Sequence, residues 1–259
     1  MKNNELKILC IGNSFSEDTT AHLADIMLHS GFLKVKVANL YVGGCSVKKH
    51  CFHAENDMSA YRYDVNEGDG WVKTPDYKIS DVVKSDDWDW ISIQHGTGDK
   101  SRYTELSSYE KLPWLVNYVK SLAPCKTKIA FNMTWVGEPD FHHEEIQHYN
   151  GDQILIYEKI AELTKEHILT MDGIDVVSPT GTAIQNARTG KIGLVTRDGY
   201  HLSLDVGRYI AGMTFLKALT GVDISDIPFV SEDDRVKAVA VEAVNNAFLH
   251  PFKITACKL

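Results

Sequence analysis

The chain has 259 residues, 44% of them hydrophobic and 24% charged, a balance that excludes disorder, collagen and coiled coil and suits one sizeable core. The formal net charge of −8 sets the surface against phosphate backbones, so no nucleic-acid partner is expected. No stretch approaches the roughly 18 apolar residues of a membrane helix, so no membrane partner is expected either.

The elements follow in chain order. Residues 6–11 form a short apolar run ending in Gly12-Asn13-Ser14, the pattern of a strand buried on both faces. Residues 21–29 carry Leu23, Ile26 and Met27 at helical spacing. Residues 35–41 read as a second strand before Gly43-Gly44, and 90–94 as a third. Residues 109–121 read as a helix, 128–135 as a fourth strand, 152–169 as a long helix and 174–178 as a fifth strand stopped by Pro179. Residues 206–219 and 236–248 are late helices. This alternation predicts an α/β fold: a three-layer αβα sandwich around a flavodoxin-like parallel sheet of about five strands. Right-handed crossovers place all strand C-termini on one edge, where ligands bind in such sheets. Residues 1–259 are read as a single domain with insertions at about 48–84 and 136–151. Both are long, and both are expected at the ligand edge. The aromatic residues of 48–84, among them Phe52, Tyr61, Tyr63, Trp71 and Tyr77, form either a small core or a surface that stacks on sugars.

The N-terminus shows no signal-peptide apolar region and no cleavage site. A cytoplasmic protein is the plain expectation; the alternative is a mature secreted or periplasmic chain whose leader has been removed. Five scattered cysteines without a CxxC pair argue against a disulfide framework or a zinc ribbon. There is no GxGxxG and no GxxxxGK[ST], which disfavours a phosphate loop. His142, His143 and His148 miss the spacing of His-Glu-x-x-His, so no metal is expected.

Chemistry concentrates in two places. Ser14, in Ile11-Gly12-Asn13-Ser14-Phe15-Ser16, lies at a strand-to-helix turn, where backbone N–H groups favour developing negative charge. It could equally serve as a helix cap. Arg197-Asp198-Gly199-Tyr200-His201 sets a carboxylate three residues before an imidazole, able to fix its tautomer. By itself this is also the pattern of a capping Asp with a surface His.

Taken together, these motifs resemble the SGNH/GDSL hydrolase superfamily, and within it an uncharacterised bacterial branch described as a domain of unknown function. The matching features include Gly43-Gly44-Cys45-Ser46, Trp88-Asp89-Trp90-Ile91-Ser92-Ile93-Gln94 and Asn132-Met133-Thr134-Trp135. The resemblance implies Ser14 as nucleophile, His201 as base and then acid, and Asp198 as the group that orients it. It implies the N–H groups of Ser14 and Gly44 as oxyanion donors. The usual Asn of a Gly-x-Asn-Asp motif is missing: the segment reads Gln94-His95-Gly96-Thr97-Gly98-Asp99, with Gly98 in the Asn position. The Gln94 amide is the expected substitute, against the plainer role of satisfying a loop carbonyl. Asn13, Cys45, His95, Trp135, His142 and His143 are the expected pocket residues. The expected activity is a serine esterase acting on a short-chain acyl ester, acetyl first, on a small molecule or carbohydrate, without metal or organic cofactor. The alternative is a non-catalytic glycan-binding module on a hydrolase scaffold. The oligomeric state is not readable from the sequence.

Overall fold

Along the first strand, β1 (Glu5–Gly12), successive apolar side chains enter different cores. Leu6, Ile8 and Cys10 join one hydrophobic cluster, and Leu9 and Ile11 join another. A strand with period two and apolar residues on both sides has to lie between two helical layers. The computed structural model, which describes residues 4–96, 102, 104–190, 192–228 and 233–258, builds these layers. Helices α1 (Ser14–Thr20) and α2 (Leu23–His29) follow β1 and supply Phe15, Leu23 and Ile26 to the first cluster. After β2 (Lys34–Tyr41) the chain changes sides, and α3 (Val47–Glu55) supplies Val47 and Cys51 to the second.

The chain continues through β3 (Tyr61–Asn66), β4 (Trp71–Tyr77), α4 (Ile79–Lys84) and β5 (Trp90–Gln94). It then forms α5 (Leu112–Leu122), β6 (Lys128–Asn132), α6 (Glu144–His148) and α7 (Gln153–Leu163). The last elements are β7 (Val176–Ser178), α8 (Thr180–Thr189), α9 (Val206–Thr220) and α10 (Asp234–Leu249). Helices α4 and α5 thicken the α3 layer, while α8, α9 and α10 complete the α1–α2 layer.

The strands form one sheet in the order β4-β3-β2-β1-β5-β6-β7. From β2 to β7 the pairings are parallel, and their order is the flavodoxin-like one. The sheet therefore has seven strands rather than about five. The two extra strands come from residues 48–84: β3 pairs antiparallel with β2, and β4 antiparallel with β3. Of the aromatic residues of this segment, Tyr61, Tyr63, Trp71 and Tyr77 pack on the core clusters, whereas Phe52 is exposed. Tyr61 is buried in the second cluster, and Tyr63 and Tyr77 pair at 5.0 Å.

Boundaries differ where packing overrides local pattern. The predicted 152–169 helix ends at Leu163 and continues as a π-helical turn, Thr164–Ile168. Helix α8 is rich in Thr with a Gly in its first turn, a composition poor in helix propensity. Burial holds it: the Asn186 amide donates to the Ala243 carbonyl of α10 at 3.1 Å and accepts from the Thr255 N–H at 2.7 Å. No helix among the described residues is long and apolar enough to cross a membrane.

Candidate active site

At the end of β1, Asn13 holds extended backbone (φ −138°, ψ −153°) and caps α1, its Oδ1 accepting from the Phe15 N–H at 2.9 Å. Ser14 is therefore the first residue of α1, half-buried, among N–H groups that have no acceptor within the helix. Beside it, the Val42 N–H donates to the Gly12 carbonyl at 3.2 Å and the Cys45 N–H to Val42 at 3.2 Å. These bonds tie the exposed Gly43-Gly44 turn to the end of β1. Gly44 has φ +60°, in the left-handed region that favours glycine.

The other half comes from the loop before α9. The Arg197 N–H donates to the His201 carbonyl at 2.9 Å, closing a tight loop through Gly199 at φ +84°. Asp198 uses both oxygens inside it. Oδ1 accepts from the N–H groups of Tyr200 (3.0 Å) and His201 (2.7 Å), and Oδ2 meets His201 Nδ1 at 2.7 Å. His201 Nε2 lies 3.0 Å from Ser14 Oγ. A carboxylate can only accept, so Nδ1 carries the imidazole proton and Nε2 accepts from the serine hydroxyl. Partial burial pushes the Asp198 carboxyl upward, but the hydrogen bonds from His201 and the two backbone N–H groups prevail and hold it below its ordinary value. The three residues of the expected triad thus form one hydrogen-bonded chain.

Gln94 is a correction. It is buried, and its Nε2 donates to Asn13 Oδ1 at 2.8 Å, so its donor fixes the turn behind Ser14 instead of facing the oxyanion position. Gly98, to which the register assigned the usual Asn, lies outside the described residues. Asn13 is corrected in the same way. Its Nδ2 donates to the Cys45 carbonyl at 3.0 Å, which leaves it buried as a brace between two turns. Gly96 permits this contact: a Cβ there would lie 2.0 Å from the Cys45 carbonyl oxygen and 2.5 Å from Asn13 Nδ2. Gly96→Ala is expected to destabilise the fold by about 3 kcal/mol or more through overpacking, read as a lower urea midpoint. An unchanged midpoint would show that the brace yields.

Three more pocket expectations fail because their side chains face inward. Cys45 is buried. His95 is buried and stacked on Tyr109 at 4.7 Å, and burial pushes its pKa down to about 3, leaving a neutral packing residue. Trp135 is fully buried, packs on Phe15 at 4.5 Å and donates its indole N–H to the Tyr200 carbonyl at 2.8 Å. It supports the His201 loop from beneath. His142 is exposed and pairs with Gln147. His143 comes nearest of the segment: it caps α6, accepting from the Glu145 N–H at 3.2 Å, and stacks on Tyr200 at 5.3 Å. Burial lowers its pKa. Among the described residues, no three His, Cys, Asp or Glu side chains converge as metal ligands.

The sequence reading missed Asp18 and Tyr200. Tyr200 joins Phe15 of α1 (5.0 Å) to Phe141 (4.9 Å). Asp18 is a buried carboxylate bound to Arg197 and Arg208. The available signal was an acid one helical turn after Ser14 and a basic residue directly before Asp198.

Residues 7–249 match the family model DUF4886, a domain of unknown function. A DUF4886 family protein from Bacteroides uniformis is 34% identical over 97% of each chain, with a TM-score of 0.89. At lower identity the fold alone is shared. Axe2, an acetylxylan esterase from Geobacillus stearothermophilus, is 19% identical over 85% of this chain and 97% of its own, with a TM-score of 0.50. LAE5, an alpha/beta hydrolase enzyme from the metagenome of Lake Arreo, is 14% identical over 83% of this chain and 94% of its own, also at 0.50. No curated protein matches the chain in sequence. With its family model spanning 243 of 259 residues, the chain belongs to the DUF4886 family, a domain of unknown function.

Proposed function

We propose that this chain is a serine esterase that removes short acyl groups, acetyl first, from a carbohydrate or similar polyol. The observation that carries the reading is the unbroken chain from Ser14 Oγ through His201 to Asp198 Oδ2, at 3.0 and 2.7 Å, at the start of a helix. In this reading Ser14 Oγ attacks the ester carbonyl carbon as His201 Nε2 takes its proton. The oxyanion is held by the N–H groups of Ser14 and Gly44. Collapse breaks the bond to the alcohol, which receives the proton from His201. A water molecule, deprotonated by His201, then attacks the acyl-enzyme, and the acid leaves with Ser14 restored. Asp198 stabilises the imidazolium in both halves.

The acyl and alcohol preferences rest on the surroundings. Gly43 and Gly44 are exposed and Ser14 is half-buried, an open setting that gives a large polar alcohol access. The acetylxylan esterase with the same fold supports acetyl on sugar as the first class to try. A fluorophosphonate probe is expected to label the chain on Ser14, located by peptide mapping, and the acetyl nitrophenyl ester to be cleaved at least about 10-fold faster than the octanoyl ester in kcat/KM. Labelling elsewhere, or none, would sink the mechanism. A preference for octanoyl would sink the substrate class alone. A glycan-binding module without catalysis would bind sugars and take no label.

A further inference from the structure

We infer that Asp18 is a positioning residue that sets where His201 stands relative to Ser14; the inference rests on the serine-esterase reading above. Asp18 lies one helical turn after Ser14 on α1, and its carboxylate is 1% exposed. Oδ2 accepts from the Leu202 N–H at 2.8 Å. Oδ1 accepts from Arg197 Nη1 at 3.0 Å and from Arg208 Nε and Nη2, each at 2.8 Å. Arg197 Nη1 also donates to the Leu202 carbonyl. The peptide unit on either side of Leu202, the residue after His201, is therefore clamped by one ion cluster. Thr196 and Leu202 form an antiparallel bridge across the base of the same loop, and Arg208 carries the clamp into the first turn of α9.

The same cluster thus touches the nucleophile's helix, both ends of the loop that holds Asp198 and His201, and α9. Buried ion clusters contribute little net stability, because desolvation of the charges offsets their attraction. Phe15, Trp135 and Tyr200 already hold loop and helix together by apolar contact. What packing of flat rings leaves free is sliding. Directed bonds from a short, buried carboxylate remove that freedom, and a shift of about 1 Å in a reacting group costs roughly 100-fold in rate.

The test uses the full chain with Asp18→Asn and the double variant Asp18→Asn/Arg208→Gln. The single variant keeps side-chain shape but leaves two partly exposed arginines without their buried anion. The double variant removes one of these charges and restores the net charge of the cluster. The expected result is a kcat for acetyl nitrophenyl ester about 100-fold lower in both, KM unchanged, and a Tm that falls in the single variant and recovers in the double. Labelling histidines with 15N is expected to show His201 in the Nδ1–H form in wild type and in mixed forms in both variants. Recovery of kcat together with Tm, or an unaltered His201 signal in the double variant, would make Asp18 a stability residue and overturn the inference. The spectroscopic arm needs no turnover. A wild type inert to esters and to the probe would defeat the esterase reading, while the His201 signal would still decide the role of Asp18.

Discussion

Ser14→Ala is expected to lower kcat for acetyl-ester hydrolysis by about 10^6-fold, the scale at which a nucleophile and its base act as one unit. The loss should be chemical and not structural. Asn13, not Ser14, caps α1 through the Phe15 N–H, and the Ser14 hydroxyl is bonded to His201 and lies at the half-open surface. Its removal leaves no buried donor without a partner in the core, so Tm should hold. His201→Ala is expected to cost about as much, and the double variant little more than either single change, because neither group works without the other. Initial rates with single-turnover controls on purified protein measure this. Equal rates for wild type and Ser14→Ala would remove the nucleophile and with it the proposed mechanism.

The second large effect belongs to Asp198→Asn, with an expected loss of about 10^4-fold in kcat. The structure gives a local reason. Oδ1 of Asp198 is taken by two backbone N–H groups, those of Tyr200 and His201. An asparagine keeps its oxygen there, since only oxygen can accept those bonds, and turns its amide N–H group toward His201 Nδ1. Nδ1 must then accept, the ring proton moves to Nε2, and Nε2 can no longer take the proton of Ser14. The Asp198 side chain is 46% exposed, so solvent screens its charge and the tautomer carries most of the effect. Asp198→Glu, which keeps the acceptor but lengthens the arm, should lose less.

The same carboxyl predicts a pH dependence with a definite sign. Its folded pKa is held below the ordinary carboxylate value by His201 and the two N–H groups, which outweigh partial burial. A depressed acid stabilises the fold above its unfolded pKa, near 3.9, and loses that contribution as pH falls through the folded value. The stability gap between wild type and Asp198→Asn should therefore be full at pH 7 and close below about pH 4. Urea midpoints across that range measure it. A gap that stays constant would mean that the hydrogen bonds to Asp198 do not depend on its ionisation.

Much of the fold was legible because its signals are local. The strands at 6–11, 35–41 and 90–94 are short apolar runs between turn residues, and each agrees with an observed strand to within a residue or so. The β3–β4 hairpin was not legible. Tyr, Arg, Lys and Asp share it, Pro75 interrupts β4, and β4 is largely exposed at the sheet edge, so no apolar period stands out. Helix α8 was missed for the opposite reason: its residues are poor helix formers, and only burial between α9 and α10 makes them helical.

By itself, the sequence determined the αβα order, the serine at the first strand's end and the Asp198–His201 pair, since periodicity and turn chemistry act over a few neighbouring residues. Only the tertiary structure decided which polar atoms meet. Sheet order brings His201 to Ser14 across 187 residues and Gln94 to Asn13 across 81. It turns Cys45, His95 and Trp135 inward, and it buries Asp18 between two arginines more than 170 positions away. A side chain's type limits what bonds it can make. Which of these it makes depends on the partners that packing delivers and on the water that packing removes, and neither is encoded at the residue's own position.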